Sequence, residues 1–193
     1  LTTIPPLTVD KVVNSLQINA SANATWAMSN KLTLTSGQLI SGIPDNSFNF
    51  STGTLTAGSG SDASLDVTVN RNTTYIRGRI EDNGTGKVAV VKNGGATLNL
   101  DGSYDMTYSG GTYINEGTIS LGNTAYRRYL GTGPVIVNAG WLWQGQVGAT
   151  ANTVGDDYIA VNGGQIGVAT VAYPLSDLFN ISAGSVICGS AGI

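Results

Sequence analysis

Histidine is absent from this chain of 193 residues, cysteine occurs once, and charged side chains make up only 11% of it. Each shortage excludes something. Without His the commonest general base is missing, and with it the Ser-His and Cys-His nucleophile systems. The single thiol, Cys188, has no internal partner, so the fold must hold by packing and hydrogen bonds. Nine Lys and Arg against twelve Asp and Glu give a net charge of −3. That balance lacks the clustered cations that release counterions from a phosphate backbone, so nucleic acid is not an expected partner. No apolar run approaches the roughly 20 residues of a membrane-spanning helix, and none is expected. The start Leu1-Thr2-Thr3 carries neither an initiating Met nor a signal pattern and reads as a mature protein or a fragment.

What remains is rich in Gly (27 residues), Thr, Ser, Asn and Val, a turn-and-strand composition. Lys is confined to Lys11, Lys31, Lys87 and Lys92 and Glu to Glu81 and Glu116, too few to surround helical stripes, and no window shows helical spacing over three turns. One pattern recurs instead. Apolar residues stand five and three places before a Gly and two, often four, places after it. Leu32, Leu34 and Leu39 surround Gly37; Phe48, Phe50 and Leu55 surround Gly53; Ala89, Val91, Ala96 and Leu98 surround Gly94. Gly117, Gly140, Gly164 and Gly184 continue it, Asn72 stands where a Gly would, and a weaker first copy centres on Ser21. Gly and Asn both tolerate positive φ, so each can turn the chain sharply between two short strands.

Successive corners lie 16, 16, 19, 22, 23, 23, 24 and 20 residues apart. An antiparallel sandwich also has regular turns, but not with the same apolar offsets each time. The expected fold is all-β: a right-handed, single-stranded parallel β-helix of about eight or nine coils over residues 16–193, preceded by residues 1–15 as an N-terminal extension or donor strand. Leu34, Phe50, Val69, Val91, Ile114, Val137, Val161 and Ile181 share one offset and are expected to form one interior ladder. The growing spacing further predicts a tube narrower at the Leu16 end than at the Ile166 end.

From Lys92-Asn93-Gly94-Gly95-Ala96-Thr97-Leu98-Asn99-Leu100-Asp101-Gly102 to Tyr108-Ser109-Gly110-Gly111-Thr112-Tyr113-Ile114-Asn115-Glu116-Gly117-Thr118-Ile119-Ser120-Leu121-Gly122, about 31 residues resemble the autotransporter-associated β-strand repeat. Leu130-Gly131-Thr132-Gly133-Pro134-Val135 is similar to the segment that follows that repeat. Ala96 replaces a usual Gly, and the linker Ser103 to Thr107 is longer than in the family; neither touches the inward apolar positions. The resemblance implies an exported, β-helical surface protein and an extracellular or cell-surface location.

Candidate chemistry is sparse. Asp156-Asp157 could supply two carboxylates, but neighbours on a strand face opposite sides, and a polar turn is the plainer account. Asp62, Asp66, Glu81 and Asp82 could ligate calcium if stacked, without any repeat that supports it. Arg77 and Arg79 share a strand face and could clamp a carboxylate, or pair with Glu81 or Asp82. Tyr126, Arg127, Arg128 and Tyr129, with Trp141 and Trp143 one coil later, form the densest aromatic and cationic cluster. Trp141 and Trp143 flank Leu142 and should face outward as an interface or glycan platform, unless a loop from Tyr126 covers them. Cys188 reads as core, and the sequon at Asn72 as a by-product of composition.

The leading expectation is an extracellular structural or adhesive solenoid module, not an enzyme, with no cofactor or metal and with a glycan or cell surface as partner. Copies are expected to join end to end, as homo-oligomer or filament, through strand donation by Leu1, Ile4, Leu7 and Val9. The alternatives are a glycan-active β-helix enzyme and an outward Thr array at Leu32-Thr33-Leu34-Thr35.

Overall fold

The structure, a computed structural model, describes residues 2–3, 5–19, 22–42, 47–122, 129–144, 159–168 and 185–188. Their strands form three parallel sheets. The longest has nine strands: β1 (Thr2–Thr3), β4 (Ala24–Trp26), β7 (Phe48–Phe50), β10 (Thr73–Ile76), β13 (Thr97–Leu100), β15 (Thr118–Leu121), β17 (Trp141–Gln144), β19 (Gln165–Val168) and β20 (Ser185–Cys188). A seven-stranded sheet takes β3 (Leu16–Ile18), β6 (Gln38–Ser41), β9 (Ala63–Val69), β12 (Val88–Asn93), β14 (Thr112–Ile114), β16 (Val135–Val137) and β18 (Ile159–Val161). The third has four: β2 (Lys11–Val13), β5 (Lys31–Leu34), β8 (Thr54–Ala57) and β11 (Arg79–Ile80).

Through β12, consecutive strands belong to different sheets, and each strand pairs with one a full turn away, which makes the fold a parallel β-solenoid. No helix occurs among the described residues. From Thr2 to Ile114 the chain winds about five turns. Later strands add to two of the sheets, but the segments 123–128, 145–158 and 169–184 that join them lie outside the described residues. Eight or nine coils is more than these turns.

The interior is filled by residues in register from turn to turn. Phe48, Thr74, Leu98, Ile119, Leu142 and Ile166 stack along the nine-stranded sheet, all buried. Leu39, Val67, Lys92, Ile114, Val137 and Val161 stack opposite, on the seven-stranded sheet, and are likewise buried. Each apolar member contributes roughly 1.5–3 kcal/mol, enough collectively to fold without disulfide or metal.

The expected ladder needs correction. Ile114, Val137 and Val161 do stack, but Leu34 lies on the four-stranded sheet, Phe50 on the nine-stranded sheet, and Val69 two residues beyond Val67. Val91 is half-buried because Lys92 takes the inward place, and Ile181 is outside the described residues. For Leu34 and Phe50 the cause is the corner itself. Gly37 joins β5 to β6 and Gly53 joins β7 to β8, whereas Asn72, Gly94, Gly117 and Gly140 all join the seven-stranded to the nine-stranded sheet. Each of these six corners has positive φ, from 51° at Asn72 to 84° at Gly53, so different junctions carry one local signature; Gly164, between β18 and β19, does not share it. The spacing of 16 residues is therefore not a coil. Contacts one turn apart span 24 residues both at Met28–Thr52 and at Asn138–Asn162, so coil length does not grow along the tube.

The N-terminal extension also needs correction. β1 and β2 are the first strands of two sheets, Thr2 and Thr3 pairing with Ala24 and Thr25. Leu7 is buried and bridges to Met28, while Val9 is 53% exposed; Leu1 and Ile4 lie outside the described residues. Thr2, Thr3 and Leu7 are thus paired within their own chain.

A Cβ on Gly117 would sit 2.4 Å from the Gly94 carbonyl oxygen and 2.5 Å from that of Ala96, at φ of +69°. Gly117→Ala is predicted to destabilise by at least about 2 kcal/mol, whereas Asn72→Gly, at φ of 51°, should change stability by less than about 1 kcal/mol. Urea unfolding of the two variants checks this, and equal losses would contradict it.

Candidate functional site

Two outward features stand apart from the core. The first is on β17, where buried Leu142 alternates with Trp141, 37% exposed, and half-buried Trp143, as the period of two requires. Trp141 is in register with Thr118 and Gln165, and Trp143 with Ser120 and Gly167. Thr118, Ser120 and Gly167 are small and Gln165 is polar, so among the described residues the two indoles are the bulky groups of this part of the outer face. Of the aromatic and cationic cluster, Tyr126, Arg127 and Arg128 lie outside the described residues. Tyr129 does not join the platform: it is 1% exposed and part of the core.

The second feature is a cleft of about 370 Å3 lined by Met28, Ser29, Thr52, Gly53, Thr54, Arg79 and Tyr104. It follows the stacked corner between the nine-stranded and four-stranded sheets. Corner glycines keep its floor low, since a Cβ on Gly53 would lie 2.5 Å from the Met28 side chain and one on Gly78 would lie 2.5 Å from the Gly53 oxygen.

The charged residues are engaged in separate contacts, some within a turn and others one or two turns apart. Arg77 donates bidentately to Asp101, Nε to Oδ1 at 2.9 Å and a terminal nitrogen to Oδ2 at 3.1 Å, and its guanidinium lies 4.8 Å from the Tyr75 ring centroid. The hydrogen bond to Asp101 raises the Arg77 pKa against the opposing effect of burial. Asp82 accepts from the backbone N–H of Val88 and of Ser109 and from the Ser109 hydroxyl. Glu81 pairs with Lys31, and Asp62 accepts from the Lys87 N–H. Of the acidic residues considered for calcium, Asp62, Glu81 and Asp82 are thus engaged separately, and among the described residues no group of three His, Cys, Asp or Glu converges. Neither Glu81 nor Asp82 takes Arg79. Thr33 is buried, not displayed in an outward array, and Asp156 and Asp157 are outside the described residues.

Lys92 was not singled out by sequence. It is fully buried in an apolar ladder, and its Nζ donates to the carbonyls of Asn93 at 2.8 Å, Glu116 at 3.1 Å and Gly94, stitching one corner to the next. Burial pushes the ammonium down to about 8, opposed by the Glu116 carboxylate. Its signal was present as a Lys one place off the expected apolar offset. Outside it, Asn93, Asn115, Asn138 and Asn162 form a side-chain ladder at 3.1, 2.9 and 2.8 Å.

No family model matches the chain, and neither curated proteins nor solved structures give a match.

Folded Lys92 loses its proton near pH 8 and the unfolded residue near 10.5, so between them the unfolded state binds more protons and stability must rise with pH. Burial raises the Tyr108 phenol, which pulls the other way only above about pH 10. Urea midpoints are predicted to rise from pH 7 to 9.5 by the equivalent of about 1–2 kcal/mol, with the rise absent in Lys92→Met. A flat profile in the unsubstituted protein would contradict it.

Proposed function

We propose that this chain is an extracellular structural and adhesive module of a surface protein, presenting the outer face of its longest sheet to a glycan. The observation that carries this reading is the adjacent outward pair Trp141 and Trp143 on a nine-stranded sheet. Aromatic rings offer broad apolar faces with a polar N–H at the edge, which suits the flat face of a sugar ring. Small or polar residues on either side, Thr118, Ser120, Gln165 and Gly167, leave room for a chain of sugars to cross the strands. Low charge and lack of His favour binding over catalysis. The resemblance of residues 92–122 to the autotransporter-associated repeat supports export, and the right-handed winding usual for parallel crossovers extends the same coil pattern beyond the described turns.

End-to-end association of copies belongs to the same proposal, without strand donation by residues 1–9. It rests on β2, which among the described residues is the last strand of its sheet and has Val12 68% and Val13 38% exposed.

The test is retention on insoluble cell-surface polysaccharide. Trp141→Ala/Trp143→Ala is predicted to reduce retention at least tenfold while the thermal midpoint moves by only a few degrees, since truncating aromatic anchors typically costs about 2 kcal/mol or more each. Undiminished retention overturns the platform, and release of soluble oligosaccharides by the unsubstituted protein would establish the glycan-active alternative.

A further inference from the structure

The register of the four-stranded sheet places Lys31, Thr54 and Arg79 in one row, Thr54 pairing with Lys31 on one side and Arg79 on the other. Adjacent strands lie about 4.8 Å apart, so two cations flank one hydroxyl within about 10 Å. Lys31 is neutralised by Glu81 at 2.5 Å. Arg79 is not. Its strand is the last of its sheet, and among the described residues no carboxylate forms an ion pair with it: Asp101 holds Arg77, Lys31 holds Glu81, Asp82 is filled by Val88 and Ser109, and Asp105, next to Tyr104, is engaged as well. The Arg79 Nε is buried without any hydrogen-bond acceptor.

The chain beyond β13 explains why this cation is both half-buried and accessible. Where a further strand of the four-stranded sheet would follow, Met106 and Thr107 dock on Ile80: the Ile80 N–H points to the Met106 sulfur at 3.2 Å, and the Thr107 N–H donates to the Ile80 carbonyl at 2.9 Å. That turn leaves Tyr104 outside, 43% exposed, with its ring centroid 6.0 Å from the Arg79 guanidinium carbon. Ser29, Thr52 and Thr54 add hydroxyls along the cleft, and the Thr52 hydroxyl already donates to the Met28 carbonyl at 2.7 Å, leaving its oxygen as an acceptor. A volume of about 370 Å3 is at the lower end of small-molecule sites and holds one ring with its substituents.

We infer that the cleft between Arg79 and Tyr104 is a binding site for a carboxylate carried on a ring. The guanidinium fork matches a carboxylate geometrically and supplies the missing counter-charge. The ring lies against Tyr104, and the hydroxyls of Ser29 and Thr54 face its polar substituents. The cleft follows a different edge of the solenoid from Trp141 and Trp143, so this site stands or falls independently of the platform.

Calorimetric titration of the purified protein with D-glucuronate, benzoate, acetate and glucose at low salt tests the inference. Binding is expected for glucuronate or benzoate, the stronger of the two telling a sugar acid from an aromatic acid, with acetate and glucose at least tenfold weaker. Arg79→Gln should abolish the heat, Arg79→Lys should weaken binding about tenfold because the charge remains without the fork, and Tyr104→Ala should weaken it several-fold. Arg71→Gln, which removes an exposed cation elsewhere, should bind as the unsubstituted protein does, and thermal melts of all four variants establish that they are folded. No heat with either ring acid, glucose binding as tightly as glucuronate, or undiminished binding by folded Arg79→Gln would each overturn the site.

Discussion

Every part of this fold depends on one turn lying in register on the next. A single coil has strands whose amides and carbonyls point along the tube axis and side chains that point into an empty lumen. Neither is satisfied until another coil stacks at about 4.8 Å. Stacking supplies both at once: the same alignment that pairs Thr97 with Thr118 buries Leu98 on Ile119. Corners are the most demanding points, because backbone there approaches backbone. The approach of Gly117 to Gly94 leaves no room for a side chain, so the corner residue is chosen by the neighbouring coil as much as by its own φ.

The sparse polar and charged groups serve the same register. Arg77 with Asp101, Thr56 with the Glu81 carbonyl, and the Asn93 to Asn162 ladder each connect residues one turn apart. Inside the tube, Thr74 and Ser41 face each other across the lumen and bond at 2.8 Å, so two hydroxyls on different sheets satisfy each other where neither could reach water. Lys92 is the extreme case, an ammonium kept in an apolar column by corner carbonyls from two turns. Burial of a lone charge is costly, and these contacts fix which corner sits on which.

Regularity also shapes what the surface can do. Where coils stack in register, the outer face of a sheet is flat and its relief comes from the few large side chains on it, as at Trp141 and Trp143. A concave feature needs an interruption, and the four-stranded sheet supplies one by ending at β11. The segment that takes over places Tyr104 beside an arginine that has no further strand of its sheet next to it. The cleft and the platform therefore arise from opposite causes, one from a break in the repeat and the other from its continuation.

Sequence alone determined the strand period, the corner residues and the solenoid. Gly37, Gly53, Asn72, Gly94, Gly117 and Gly140 all turn at positive φ, because that requirement is local and leaves a local signature. The outward setting of Trp141 and Trp143 around Leu142 was legible for the same reason, alternation being a property of one strand. What only the tertiary structure decided is which corners are equivalent. Gly37 and Gly53 look alike in sequence yet join different sheets, and this mis-set the ladder at Leu34 and Phe50 and produced a taper that the coils do not have; at Val69 the register, not the junction, differs by two residues. The single-place shift that put Lys92 inside and Val91 at the wall, the docking of Leu7 on Met28, the burial of Tyr129 and the meeting of Arg79 with Tyr104 were equally hidden. Each depends on contacts between residues about a turn apart, and a chain that repeats one local motif at three kinds of junction does not record in that motif which copy stacks on which.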